Sequence, residues 1–148
     1  MPRPPEYDNL INSGYFHPVQ STPDYIRQYL QVASGYLADA KSVPHPASKF
    51  MLAYEGFYQV VQAVLDFHGV RAADRPGHRI VAIQRVCADL KVSPGQIKLI
   101  TDAHGRRNET VYKAPLPPIS QADANAMVRV LEMALPPVYA LTGTNPPD

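Results

Sequence analysis

Two arginines, an imidazole, a carboxamide and a phenol fall within the nine residues from His104 to Tyr112. On a helix, Arg107 shares a face with Ile100, Ala103 and Val111, which sets its guanidinium at the edge of an apolar stripe. His104, Asn108 and Tyr112 follow at intervals of four on the neighbouring stripe, so all four groups converge on one patch. Burying an unpaired arginine costs several kcal/mol, so the patch must meet carboxylates, a second subunit or an anionic ligand such as phosphate. A second group with the same affinity is Gly77-His78-Arg79 at a helix start, where free backbone N–H groups attract anions. A solvated helix start is the alternative for that segment.

The elements that position these groups read as helices. Thr22, Pro23 and Asp24 start the first, and Tyr25, Ile26, Tyr29, Leu30, Ala33, Tyr36, Leu37 and Ala40 keep its period. From Ser48 the pairs Ala53–Tyr54, Phe57–Tyr58, Val60–Val61 and Val64–Leu65 recur every three or four residues until Gly69 ends a second helix. Ile80, Ile83, Val86, Cys87 and Leu90 mark a third. Ser93-Pro94 caps a fourth that runs through Ile97 and Ile100 into the polar cluster, with Gly105 as its weak point, since glycine in mid-helix costs about 1 kcal/mol relative to alanine. Ser120 caps a fifth lined by Ala126, Met127, Val130, Leu131 and Ala134, which Pro136 and Pro137 are expected to kink or terminate.

No segment alternates with the period of a strand. The expectation is an all-α fold, a four-helix up-down bundle with an additional C-terminal helix. Its parts are a proline-rich arm over residues 1–20, extended or loosely attached although Leu10, Ile11, Tyr15 and Phe16 could pin it, a helical domain over 21–142 and a frayed tail over 143–148.

Composition narrows the chemistry. The 148 residues suit one domain. The single cysteine, Cys87, excludes an internal disulfide and a cysteine-rich zinc site, and its apolar neighbours make it a core thiol. The five histidines lie far apart without carboxylates at ligand spacing, so neither a metal nor a cofactor is expected. Glycine-rich phosphate loops and a serine-hydrolase elbow are missing. With no signal-peptide pattern and no apolar run of membrane length, a cytoplasmic, soluble chain is expected. The nine tyrosines fall largely on core-facing stripes, Tyr25, Tyr29, Tyr36, Tyr54 and Tyr58 among them, with hydroxyls reaching the edge. Net charge is +1, yet residues 71–113 hold nine basic side chains against four acidic ones. That asymmetry fits an anionic ligand or pairing between copies of the chain, and a solvated face with scattered charges fits it as well.

With these helices in place the chain resembles the HEPN superfamily of small helical domains over most of its length. The resemblance rests on the aromatic-rich second helix with Ala53-Tyr54-Glu55, the Gly69-Val70-Arg71 turn, Gly77-His78 opening the third helix and Arg107-Asn108 in the fourth. In catalytic members an arginine, a polar residue and, a few positions on, a histidine form a metal-independent RNA-cleaving motif, two copies of which meet across a homodimer. Here Arg107 and Asn108 match, and Tyr112 stands where the histidine is expected. A phenol titrating at about 10 is a poor base at neutral pH, whereas imidazole titrates at about 6.5.

The resemblance implies a ribonuclease toxin travelling with a nucleotidyltransferase-type antitoxin, in which Arg107 and Asn108 handle the phosphate and Tyr112 holds phosphate or ribose. Beyond the resemblance, His104, four residues before Asn108, is the available substitute for the missing base, and Arg106, His78 and Arg79 are the candidates for binding the RNA backbone. The alternative is a binding or interaction module in which Arg107 and Asn108 hydrogen-bond across the dimer and fix its register.

Overall fold

The computed structural model describes residues 3–108 and 117–147. They form α1 (Pro5–Asn12), β1 (Phe16–Pro18), α2 (Pro23–Ser42), α3 (Pro46–Phe67), β2 (Val70–Ala72), α4 (His78–Asp89), α5 (Pro94–Asn108) and α6 (Gln121–Thr142). The fold is therefore predominantly helical. No helix among the described residues is long and apolar enough to cross a membrane.

α3 lies at the centre because it is apolar nearly all round. Tyr54, Phe57, Val60, Val61, Val64 and Leu65 are buried on successive faces, which only a helix surrounded by others tolerates. It packs against α2 along one side, α6 along another, and α4, α5 and β2 over the rest. Gly56 permits the closest approach, since a Cβ there would stand 2.6 Å from Leu131 Cδ2 of α6 and 2.9 Å from Tyr36 Cβ of α2. Capping follows the sequence in part. The Ser120 and Ser93 hydroxyls accept the backbone N–H of Asp123 and Gln96 at 3.0 and 3.2 Å. Thr22 makes no such side-chain bond; its own N–H donates to Asp66 Oδ2 on α3 at 2.8 Å, which ties the start of α2 to the end of α3.

Three elements differ from the sequence expectation. Residues 4–20 are not an extended arm, because Pro5 occupies a first-turn position and Tyr7, Leu10 and Ile11 recur at helical spacing to form α1. Tyr7 is fully buried and donates to Asp89 Oδ2 of α4 at 2.6 Å, while Phe16 lies in the core. A small sheet is also present: β1 pairs antiparallel with β2, Phe16 opposite Ala72 and Pro18 opposite Val70. Each strand has three residues, too few for an alternating pattern to show. Finally, α6 continues through Pro136 and Pro137 to Thr142. Both prolines face solvent, as do Glu132 and Met133, whose carbonyls lose their helical donors to the ring nitrogens and are left open to donation from solvent.

Candidate functional site

α3, α4 and α5 each bring one turn to the same place. Tyr54 and Tyr58 sit one helical turn apart on α3 with their rings embedded in the core, and Glu55 stands beside them at the margin. Gly77, at φ 79°, makes the left-handed turn that starts α4 and aims Arg79 back over α3. The Arg79 guanidinium lies 3.7 Å from the Tyr58 ring centroid, 3.5 Å from Tyr54 Oη and 3.5 Å from Glu55 Oε1. From α5, Arg107 Nε donates to the same Glu55 oxygen at 2.8 Å. One half-buried carboxylate therefore holds two arginines from two helices. His104, one turn earlier on α5, places Nδ1 3.0 Å from Tyr54 Oη.

These groups border a cleft of about 520 Å³ between the start of α4 and the last turns of α5, lined by His78, Arg79, His104, Arg107 and the loop from Asp74 to Gly77. His78 donates from Nδ1 to the Arg75 carbonyl at 2.8 Å. Arg75 is fixed by the N-terminal segment, its guanidinium over the Tyr15 ring at 4.2 Å and donating to the Ser13 carbonyl at 3.0 Å. Among the described lining residues, three arginines and two histidines stand against one carboxylate, Asp74. The helix α4 also points its N-terminal N–H groups towards this end.

Burial, and then the cations Arg79 and Arg107 with neighbouring His78, hold the His104 pKa below its ordinary value, so the imidazole is neutral at pH 7. Burial raises Tyr54 against the attraction of Arg79, and its hydroxyl stays protonated. The Tyr54–His104 bond runs in one of two directions. With Arg79 donating to Tyr54 Oη, the phenol donates to Nδ1 and Nε2 carries the hydrogen, a donor suited to an anion. In the other tautomer Nδ1 donates to the phenol and Nε2 offers a lone pair, suited to taking a proton.

Of the residues selected from sequence, the structure brings His78, Arg79, His104 and Arg107 to one cleft. α5 is continuous through Gly105, which keeps His104 and Arg107 in phase. Arg106 does not join them. Adjacent helical positions diverge by about 100°, and Arg106 turns to the opposite side, where it donates to the Pro117 carbonyl at 2.9 Å. Asn108 is the last residue of α5; its side chain and the whole of Tyr112 lie outside the described residues. Glu55 was not among the candidates, although a carboxylate flanked by Ala53, Tyr54, Phe57 and Tyr58 requires a partner and so marks the spot. Among the described residues, no group of histidine, cysteine or carboxylate side chains is arranged to hold a metal ion. Searches with family models, of curated proteins and of solved structures return no match to the chain.

Proposed function

We propose that the chain is a HEPN-like protein, its helices a four-helix up-down bundle with an additional C-terminal helix, and that the α4–α5 cleft takes the phosphodiester backbone of RNA. The convergence of Arg79, Arg107, His78 and His104 on one concavity carries this reading, since guanidinium and imidazole donors around a hollow suit phosphate oxygens. The protein then acts in the cytoplasm as a homodimeric, metal-independent endoribonuclease, the toxin of a pair completed by a nucleotidyltransferase-type antitoxin. In that reaction neutral His104 takes the proton of a ribose 2′-hydroxyl through Nε2. The 2′-oxygen attacks phosphorus, and the 5′-oxygen leaves and regains a proton from the imidazolium or from water. Arg79 and Arg107 stabilise the charge that develops on phosphorus-bound oxygen, with Asn108 and Tyr112 orienting the phosphate and ribose.

Two observations favour a second reading. Arg107 is engaged by Glu55 of its own chain at 2.8 Å, and the depressed His104 is a weaker base than a free imidazole. A binding module without cleavage, in which Arg107 and Asn108 set the dimer register, uses the same residues. Labelled single-stranded RNA incubated with the protein in EDTA separates the two. The nuclease cleaves, and His104→Ala slows cleavage by about a hundredfold or more. The module leaves RNA intact, and Arg107→Ala shifts it towards monomer in light scattering. Absence of any RNA binding by the wild type refutes the RNA reading of the cleft, and a concentration-independent monomer in light scattering counts against both readings.

A further inference from the structure

Two further hollows continue from the phosphate cleft across the face of α2. The first, about 180 Å³, shares His78 with the cleft and adds Tyr29, Tyr58, Gln62 and Arg71. The second, about 290 Å³, shares Tyr29 and Arg71 with the first and adds Tyr25, Gln28 and Gln59. The three concavities are therefore neighbours in a row, with His78 bordering the cleft and the first hollow, and Tyr29 and Arg71 bordering the first and the second.

Its chemistry changes along the way. Near His78 it is cationic; beyond Arg71 it is aromatic and amide-rich. Tyr25 and Val32, two turns apart on α2, are 44% and 47% exposed. Tyr25, Gln28, Tyr29 and Val32 occupy one face of α2 at helical spacing. Gln28, Gln59 and Gln62 each carry a donor and an acceptor on one planar amide, matching the mixed edges of heterocyclic bases. Arg71 sits in the middle, presented by β2, with its guanidinium 5.1 Å from the Tyr25 centroid. Its hydrogen-bonding capacity is not consumed by the adjacent carboxylate. Asp66 is 1% exposed and pairs with Arg71 through Oδ1 and Nη2 at 3.7 Å, longer than a hydrogen bond, while Oδ1 and the buried Arg71 Nε make no hydrogen bond. Tyr58 already has Arg79 over its ring at 3.7 Å, and Arg71 covers one face of Tyr25, so the stacking surfaces come from Tyr29 and the remaining face of Tyr25.

We infer that the surface from His78 over Tyr29 and Arg71 to Tyr25 is a track for unpaired nucleobases of a single-stranded RNA whose phosphates occupy the α4–α5 cleft. This inference rests on the RNA reading of that cleft. A flat aromatic ring stacks on any base, and a guanidinium beside it adds cation–π and hydrogen-bonding contacts, so the track holds single strands with little sequence preference. Paired bases do not reach it, because a duplex turns their faces inward.

The test compares two eight-nucleotide probes in fluorescence anisotropy, oligouridylate and an abasic ribose-phosphate strand of equal length. The wild type is expected to bind the base-bearing strand about tenfold more tightly, with Tyr29→Leu and Tyr25→Ala each removing most of that difference and leaving abasic binding unchanged. Arg79→Ala weakens both probes together. Equal wild-type affinity for the two probes overturns the track and spares the phosphate cleft. Binding of neither probe overturns both. Should Tyr25→Ala alter the monomer–dimer equilibrium in light scattering and leave probe discrimination intact, the face is a contact between copies of this chain and the track is overturned.

Discussion

Gly56→Ala and Gly105→Ala substitute the same residue in two helices, and the structure assigns them opposite signs. In either helix, alanine for glycine contributes about 1 kcal/mol through reduced backbone freedom of the unfolded chain and better helix propensity. At Gly105 nothing among the described residues lies within 4 Å of the new methyl group, so that gain is realised in full. At Gly56 the Cβ would stand 2.6 Å from Leu131 Cδ2, 2.9 Å from Tyr36 Cβ and 3.4 Å from the Ala33 carbonyl. The leucine methyl can rotate away. The tyrosine Cβ and the carbonyl are fixed to the α2 backbone, so relief requires α2 to move off α3. Overpacking of that kind costs about 1–3 kcal/mol, which exceeds the propensity gain in most of its range. Gly56→Ala is expected to lose about 1 kcal/mol net and Gly105→Ala to gain about 1 kcal/mol, a separation of about 4–8 °C in melting temperature for a chain of this size. Urea unfolding followed by circular dichroism reads both. Equal shifts, or a stabilised Gly56→Ala protein, would refute the close packing of α2, α3 and α6.

Four further outcomes follow from the same geometry. Burial depresses both His68 and His104 in the folded chain, so the unfolded state binds protons more readily; stability is full above about pH 6.5 and falls on acidification through the folded midpoints. Thermal melts from pH 8 to 5 should show that loss, with a flatter profile for His68→Gln/His104→Gln; a profile equally steep without the two imidazoles contradicts it. Tyr54→Phe removes the group bonded to His104 Nδ1 and is expected to cost about 1–2 kcal/mol in urea unfolding, with a changed His104 midpoint by NMR; an unmoved midpoint would mean the contact is not formed in solution. Lys49 is buried and donates to the Ala40 carbonyl at 2.7 Å at the end of α2, so Lys49→Met should cost about 1–3 kcal/mol, and an unchanged unfolding midpoint argues against that bond. The Cys87 thiol, fully buried and raised to about 11, should resist a disulfide reagent in the native state and react at once in denaturant; fast native labelling contradicts its burial.

The long helices were legible because their apolar spacing is repeated over many turns and their starts carry Thr22-Pro23, Ser93-Pro94 and Ser120. The N-terminal segment was obscured by its own prolines. Pro4 and Pro5 read as an extended stretch, whereas Pro5 is well placed in a first helical turn, and the spacing of Tyr7 with Leu10 and Ile11 decides the matter. β1 and β2 were invisible for another reason, since three-residue strands are defined by pairing with each other and by the Gly69 turn rather than by pattern. In the site, helical phase placed His104 and Arg107 together, and the helix-start reading found His78 and Arg79. That these two pairs from different helices share one cleft depends on tertiary packing, which spacing along the chain does not encode. Tyr54, which joins them, reads as core because its neighbours on α3 are core, and Glu55 enters the sequence reading only within the Ala53-Tyr54-Glu55 stretch of the resemblance.

The most direct measurement is the titration of the His104 imidazole by NMR, with and without a saturating single-stranded oligoribonucleotide. In the free protein burial and the neighbouring cations hold its midpoint below 6.5. A phosphate seated among Arg79, Arg107 and His104 brings negative charge against that imidazole, so its midpoint is expected to rise on binding. A midpoint unchanged while the RNA is demonstrably bound would place the nucleic acid elsewhere on the molecule and contradict the assignment of this cleft.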